Sequence, residues 1–226
     1  MIRVKICGLT SLADAHLAAA AGADLLGFIF HRPSPRYVTP EVVRAIVAGL
    51  KADWTEALCV GVFVDEPASQ VREVLDFCAL DAAQLHGSEP PETIALFPGQ
   101  AYKAIRPRSP AEARAALDRY GRDGPDGSLP ELLLDSFDPR QPGGTGQVAD
   151  WGLAAGVAAQ RHILLAGGLS PHNVAGAVRA VRPWGVDVSS GVESAPGRKS
   201  PDALRAFIGN ARRALDECDM VTTDKH

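Results

Sequence analysis

At 226 residues, with 46% hydrophobic and 22% charged content, the chain fits one large globular domain with a sizeable core. A formal net charge of -4 without a basic stripe excludes a nucleic-acid footprint, and no apolar run reaches the length of a membrane span. Cys7, Cys59, Cys78 and Cys218 form neither a CxxC pair nor a disulfide framework, and the opening "MIRVKICGL" is too short and polar for a signal peptide; both point to reduced thiols in the cytoplasm.

The first strand-like run is "RVKIC" (3–7), where Val4 and Ile6 alternate with Lys5 and Cys7. That alternation puts an amine and a thiol on one strand face, and the run stops at Gly8. Further runs follow at 24–30, 57–64, 81–86, 101–106, 131–135, 162–167 and 185–190, eight in all. Helical periodicity fills the intervals. "QVREVLDFCAL" puts Val71, Val74, Leu75 and Cys78 on one face, and "HNVAGAVRAV" does so with Val174, Ala177, Val178 and Val181. "DALRAFIGNARRAL" repeats it with Leu204, Phe207, Ile208, Ala211 and Leu215. Thr39-Pro40, Ser109-Pro110, Ser170-Pro171 and Ser200-Pro201 each set a capping hydroxyl before a proline at a predicted helix start. Ser109 with Glu112 fits a capping box.

Strict alternation of strand and helix implies a parallel sheet covered by helices, either an open doubly wound sheet or a closed (β/α)₈ TIM barrel. Eight units match the barrel's usual size of about 200–250 residues. The dinucleotide form of the open sheet lacks its GxGxxG after the first strand. The predicted fold is therefore a single α/β barrel domain over residues 1–217, with the aperiodic tail 218–226 frayed. "GRDGPDGSLP" (121–130) precedes a strand and reads as a surface turn. "SFDPRQPGGTGQ" (136–147) follows one and so lies on the face where barrel chemistry occurs.

Polar residues gather at the strand C-terminal ends. Cys7 ends the first strand, Gln84 and His86 the fourth, and Asp135 the sixth, while Asp187, Ser189 and Ser190 end the eighth. Cys59 and Cys78 read as small buried hydrophobes. Cys7 and Asp135 facing one mouth suggest an acid/base pair. "AGGLSPHN" (166–173) and "SSGVESAPGRKS" (189–200) follow the last two strands, where glycines let backbone N–H groups approach a phosphate. No Walker lysine accompanies them, which argues against a nucleoside triphosphate. Arg32 and Arg36 sit in a proline-stiffened loop, as a fork for a carboxylate or as solvated charges. "PGGTG" (142–146) is either a lid or a tight turn.

The ordered strings "KICG" (5–8), "GADLLGFIF" (22–30), "SPR" (34–36), "VGVFV" (60–64), "QLHG" (84–87), "LLLD" (132–135), "GGTG" (143–146), "LAGGL" (165–169) and "VDVSSGVE" (186–193) carry a resemblance to the phosphoribosylanthranilate isomerases of tryptophan biosynthesis. Where that family shows G-x-K-D, this chain has Gly197, Lys199 and then Ser200-Pro201-Asp202. The resemblance implies a cofactor-free Amadori rearrangement of N-(5'-phosphoribosyl)anthranilate to 1-(2-carboxyphenylamino)-1-deoxyribulose 5-phosphate. It implies Cys7 as general base, Asp135 as general acid and Arg36 as partner of the anthranilate carboxylate. His86, Gly144 and Asp187 fall in the substrate site, and Gly167, Gly168, Ser190 and Gly191 in the phosphate site. The partner is thus a small phosphosugar-anthranilate, with no nucleic acid or membrane, and the protein a monomer or homodimer. Two rivals remain at this point: the histidine-pathway isomerase acting on a bis-phosphate, and a non-catalytic phosphate-binding barrel.

Those roles set electrostatic requirements. Asp135 must be protonated to act on the ring oxygen, and burial among Leu132, Leu133 and Leu134 is expected to raise its pKa. Cys7 must be a thiolate, and cations nearby lower a thiol pKa. Closure of a barrel sets the eighth strand beside the first, which predicts a Lys5–Asp187 pair below the substrate.

Overall fold

The computed structural model describes residues 1–53, 55–120, 128–135 and 151–223. Eight parallel strands close into a barrel in sequence order: β1 (Arg3–Ile6), β2 (Leu25–Ile29), β3 (Leu58–Phe63), β4 (Ala82–Leu85), β5 (Ala101–Ile105), β6 (Leu132–Asp135), β7 (Ile163–Ala166) and β8 (Gly185–Val188). All eight predicted strand segments are present. Around them lie α1 (Leu12–Ala20), α2 (Pro40–Ala52), α3 (Ala68–Cys78), α4 (Pro91–Ala95), α5 (Pro110–Tyr120), α6 (Trp151–Ala158), α7 (Val174–Val181) and α8 (Pro201–Thr223).

The period-two pattern divides the core into two layers. Val4 and Ile6, Leu26 and Phe28, Leu132 and Leu134, and Ile163 and Leu165 join the layer between barrel and helices. Leu25, Val60, Tyr102, Leu133 and Leu164 fill the barrel interior. Lys5 lies opposite Asp187 in the β1–β8 pairing that closes the barrel. Tyr102 is wholly buried, and its hydroxyl donates to Gln84 Oε1 at 3.0 Å. Burial pushes this phenol up, so it stays a neutral donor.

Helix starts follow the proline signals in three of four cases. Ser109 Oγ accepts from Glu112 N at 3.2 Å, and the Glu112 carboxylate accepts from the Arg108 N–H. Ser200 Oγ accepts from Ala203 N at 3.3 Å before Pro201 opens α8. Thr39 precedes α2 without a side-chain cap bond. The fourth differs: α7 begins at Val174 rather than Pro171. Asn173 Oδ1 accepts from the Ser170 N–H, and its amide donates to the Gly168 carbonyl, holding 170–173 as a turn. α8 continues to Thr223, beyond the expected boundary at 217. A hairpin not anticipated from sequence, β9 (Glu193–Ala195) with β10 (Arg198–Lys199), follows β8.

Candidate active site

The strand C-terminal ends open onto a cleft of about 210 Å³. Cys7, His86, Asp135, Asp187, Gly167, Gly168, Ser190 and Gly191 all line it. Eight of the ten predicted site residues are therefore brought together. Arg36 stands beside the cleft, and Gly144 lies outside the described residues. A larger depression of about 760 Å³ lies around the opposite strand ends, at Arg3, Asp24 and Leu58. Arg3 is paired with Asp24 there and His16 Nε2 lies 2.9 Å from Asp53 Oδ2, and the depression holds none of the predicted residues. Size does not decide between the two; chemistry does.

Cys7 sits one pleat above the Lys5–Asp187 pair. Lys5 Nζ donates to Asp187 Oδ1 at 2.9 Å, as barrel closure predicts. Burial opposes charge on Lys5, yet Asp187, with smaller help from Cys7 and Tyr102, holds the amine above the ordinary lysine range. Gly27 makes room for the thiol: a Cβ there would stand 2.9 Å from Cys7 Sγ and 3.2 Å from Lys5 Nζ. After Cys7 the chain turns at Gly8 with φ +74°, where a side chain would also collide with Arg36 and Ser189. The expected lowering of the thiol pKa does not prevail. Burial pushes the Cys7 thiol up; Lys5 pulls it down, Asp187 adds to burial and Lys199 opposes it, and burial wins. The cations act in the expected direction but are outweighed.

Asp135 departs from expectation in the other direction. Burial acts to raise its carboxyl, but hydrogen bonding from His86, and the charge and hydrogen bond of Arg106, hold it below its ordinary value. Arg106 Nε donates to Asp135 Oδ2 at 2.7 Å, and His86 Nε2 lies 3.7 Å from the same oxygen. The three-leucine argument fails because Leu132 and Leu134 face the helix layer; only Leu133 points inward. His86 is itself oriented, with Gln84 Nε2 2.7 Å from its Nδ1 and Arg106 Nη2 3.0 Å from its Nε2. A buried clamp supports the strand from which it emerges. Lys103 Nζ lies within hydrogen-bonding distance of four acceptors, the carbonyls of Leu85, Gly87 and Ala104 and Glu89 Oε2, which share its three N–H donors, and Glu89 accepts from the N–H groups of Asp65 and Gly87.

The two glycine-bearing loops follow β7 and β8. Gly167 and Gly168 take φ +99° and +62°, in the region that favours glycine. Ser190 and Gly191 begin a short 3₁₀ turn, Ser190–Val192. Arg36 is more constrained than a free fork: its Nε and Nη2 donate to Glu193 Oε1 and Oε2 at 2.8 and 2.7 Å. Glu193 also accepts from buried Lys199. Sequence reasoning missed Glu193, Lys199, Arg106 and Gly27 as parts of this site. Glu193 and Lys199 lay within quoted strings, but the three- and two-residue strands that carry them are too short to show a period.

A sequence profile of the N-(5'-phosphoribosyl)anthranilate (PRA) isomerase family matches residues 4–210. An N-(5'-phosphoribosyl)anthranilate isomerase from Pelobacter propionicus is 44% identical over 217 residues, covering 96% of this chain and 99% of its own. The crystal structure of phosphoribosyl anthranilate isomerase from Thermotoga maritima superposes with a TM-score of 0.82 at 38% identity, covering 94% of this chain and 100% of that one. A phosphoribosyl anthranilate isomerase in complex with reduced 1-(o-carboxyphenylamino)-1-deoxyribulose 5-phosphate gives 0.79, also at 38% identity and with the same coverage. With this match across the barrel and its loops, the chain belongs to the N-(5'-phosphoribosyl)anthranilate isomerase family.

Proposed function

We infer that the chain isomerises N-(5'-phosphoribosyl)anthranilate to 1-(2-carboxyphenylamino)-1-deoxyribulose 5-phosphate, a step of tryptophan biosynthesis. The observation that carries the residue-level reading is that Cys7 and Asp135 line one cleft with both glycine-bearing loops. In this reading the N–H groups of 167–168 and 190–191 hold the phosphate, and Arg36 receives the anthranilate carboxylate. Asp135 gives a proton to the furanose ring oxygen as the C1'–O bond breaks, leaving an open-chain iminium. The Cys7 thiolate takes the C2' proton, and the electron pair of that C–H bond moves to C1' and nitrogen. The resulting enolamine becomes the ketone when the Cys7 thiol returns a proton to C1' and the C2' hydroxyl gives its proton to the Asp135 carboxylate, so both groups are restored, no atom is lost and no external oxidant is needed.

The free-state electrostatics add a condition. With Cys7 a thiol and Asp135 a carboxylate, the reactive pair is the minor proton isomer of the resting pair. Moving one proton from sulfur to the carboxyl generates it without changing the total charge.

Family membership replaces the two rivals, the bis-phosphate isomerase and the non-catalytic barrel. We place the protein in the cytoplasm as a monomer or homodimer. Support comes from three free buried cysteines among the described residues and from a Thermotoga maritima relative described as dimeric. No helix among the described residues is long and apolar enough to cross a membrane. The test is loss of fluorescence from freshly made phosphoribosylanthranilate. Wild type turns it over, and Cys7→Ala and Asp135→Ala each lower kcat by about 10²–10⁴-fold. An inactive wild type, or full activity in both variants, overturns the reading.

A further inference from the structure

Three charged side chains meet beside Cys7, and two of them have no role in the reaction as written. Lys199 has no exposed side-chain surface. Its Nζ donates to the Cys7 carbonyl at 2.6 Å, the Ser189 carbonyl at 3.0 Å and Glu193 Oε1 at 3.0 Å. An ammonium has three donors, so the group is saturated. Glu193 accepts both bonds of the Arg36 fork, and the β9–β10 pairing sets Lys199 opposite Glu193. Burial acts against charge on Lys199, and Glu193 counters it only in part.

Each bond from this ammonium ends on a different part of the site. One holds the backbone of the base, one the residue before the Ser190–Gly191 loop, and one the carboxylate that grips Arg36. Of the five N–H donors of a guanidinium, Glu193 takes two and leaves three for a ligand. Two cations against one anion leave the cluster one positive charge in excess, which suits an anionic ligand. A carboxylate gripping Arg36 without Lys199 would make the cluster neutral and remove that attraction.

We propose that Lys199 is a positioning residue that acts through Glu193 to aim Arg36, making the site selective for substrates whose arylamine carries a carboxylate. Its bonds to the Cys7 and Ser189 carbonyls fix the spacing between the base and the phosphate loop. The inference rests on Arg36 receiving the anthranilate carboxylate.

The test measures binding, so it does not depend on turnover. The probes are reduced 1-(o-carboxyphenylamino)-1-deoxyribulose 5-phosphate and the same compound without its carboxylate, titrated calorimetrically into wild type, Glu193→Gln and Lys199→Met. Wild type prefers the carboxylated probe. Both variants lower that preference about tenfold or more, the scale of a hydrogen bond to a charged group; because Glu193→Gln adds to the positive excess, a loss there reports the aiming of Arg36 and not net charge. In turnover, Glu193→Gln acts mainly by raising KM, whereas Lys199→Met also lowers kcat. An unchanged preference in folded variants overturns the aiming of Arg36, and an unchanged kcat in Lys199→Met overturns the bracing of Cys7. Should Lys199→Met fail to fold, the near-isosteric Glu193→Gln decides the first point, and Lys199→Arg decides the second by retaining charge but not the three-way geometry. A wild type that binds both probes but does not isomerise phosphoribosylanthranilate overturns the reaction instead.

Discussion

Lys5 and Asp187 face each other across the seam that closes the barrel, in register and hydrogen-bonded at 2.9 Å. They are 182 residues apart in sequence, and only closure of β8 on β1 brings them together. Lys5→Met leaves the Asp187 carboxylate buried without this partner, and unfolding in urea is expected to show a loss of about 3–5 kcal/mol. Lys5→Met with Asp187→Leu recovers most of that loss, because an apolar pair carries no unpaired charge. The folded amine lies above its ordinary value of 10.5. The pair's contribution is therefore fully present below that pH and lost only as pH rises through the folded value. The difference between Lys5→Met and wild type should be flat from pH 5 to 9 as far as Lys5 titration is concerned.

Burial dominates the Cys7 thiol, which predicts slow alkylation in the free protein. The rate of iodoacetamide labelling, followed on the Cys7 peptide by mass spectrometry, should still be rising at pH 9, the thiol's ordinary value. Cys59 and Cys78, raised to about 12 and about 11, should label no faster than an ordinary thiol. A Cys7 labelling curve that levels off near neutrality contradicts this account of its surroundings.

His86 and Arg106 together set the acid limb. The reactive isomer keeps a constant fraction between the two pKa values and falls off as pH drops through that of Asp135, where both groups become protonated. Arg106→Leu removes a cation that holds this carboxyl down, so the acid limb of kcat/KM moves to higher pH. The profile should be taken alongside that of the substrate phosphate, which titrates independently of the variant. An unmoved limb contradicts a part for Arg106 in setting the carboxyl.

Gly27→Ala tests the space around the base. The new methyl stands 2.9 Å from Cys7 Sγ, and Cys7 Cα is also close, at 3.1 Å. Crowding of this kind costs about 1–3 kcal/mol of stability. The expected signature is a lower kcat with the Kd for inorganic phosphate unchanged, because the phosphate loops lie on β7 and β8 and Gly27 on β2. A variant with wild-type kcat would show that the thiol has room to spare.

Much of this was legible in the sequence because barrel strands carry a strong local signal. Val4 and Ile6 betray the outer layer by alternating with Lys5 and Cys7, and chain order alone places the neighbouring strands. The Lys5–Asp187 pair followed from closure, a global property that the count of units revealed. What stayed hidden were balances and close approaches. Whether burial or Lys5 wins at Cys7 depends on depth, and whether Asp135 meets leucine or Arg106 depends on which side of the strand it faces. Gly27 looks like any glycine in an apolar run until the thiol is seen against it. Lys199 lies in a two-residue strand and its pairing partner Glu193 is six residues upstream, too little pattern to read.

The claim most central to the account is that Cys7 removes the C2' proton after Asp135 has opened the ring. Single-turnover mixing of excess enzyme with phosphoribosylanthranilate carrying deuterium at C2' tests it most directly. Wild type should lose fluorescence more slowly with the deuterated substrate than with the protiated one. Cys7→Ala and Asp135→Ala should bind reduced 1-(o-carboxyphenylamino)-1-deoxyribulose 5-phosphate yet leave the fluorescence unchanged on that timescale. Turnover at the wild-type rate by either variant would contradict the account.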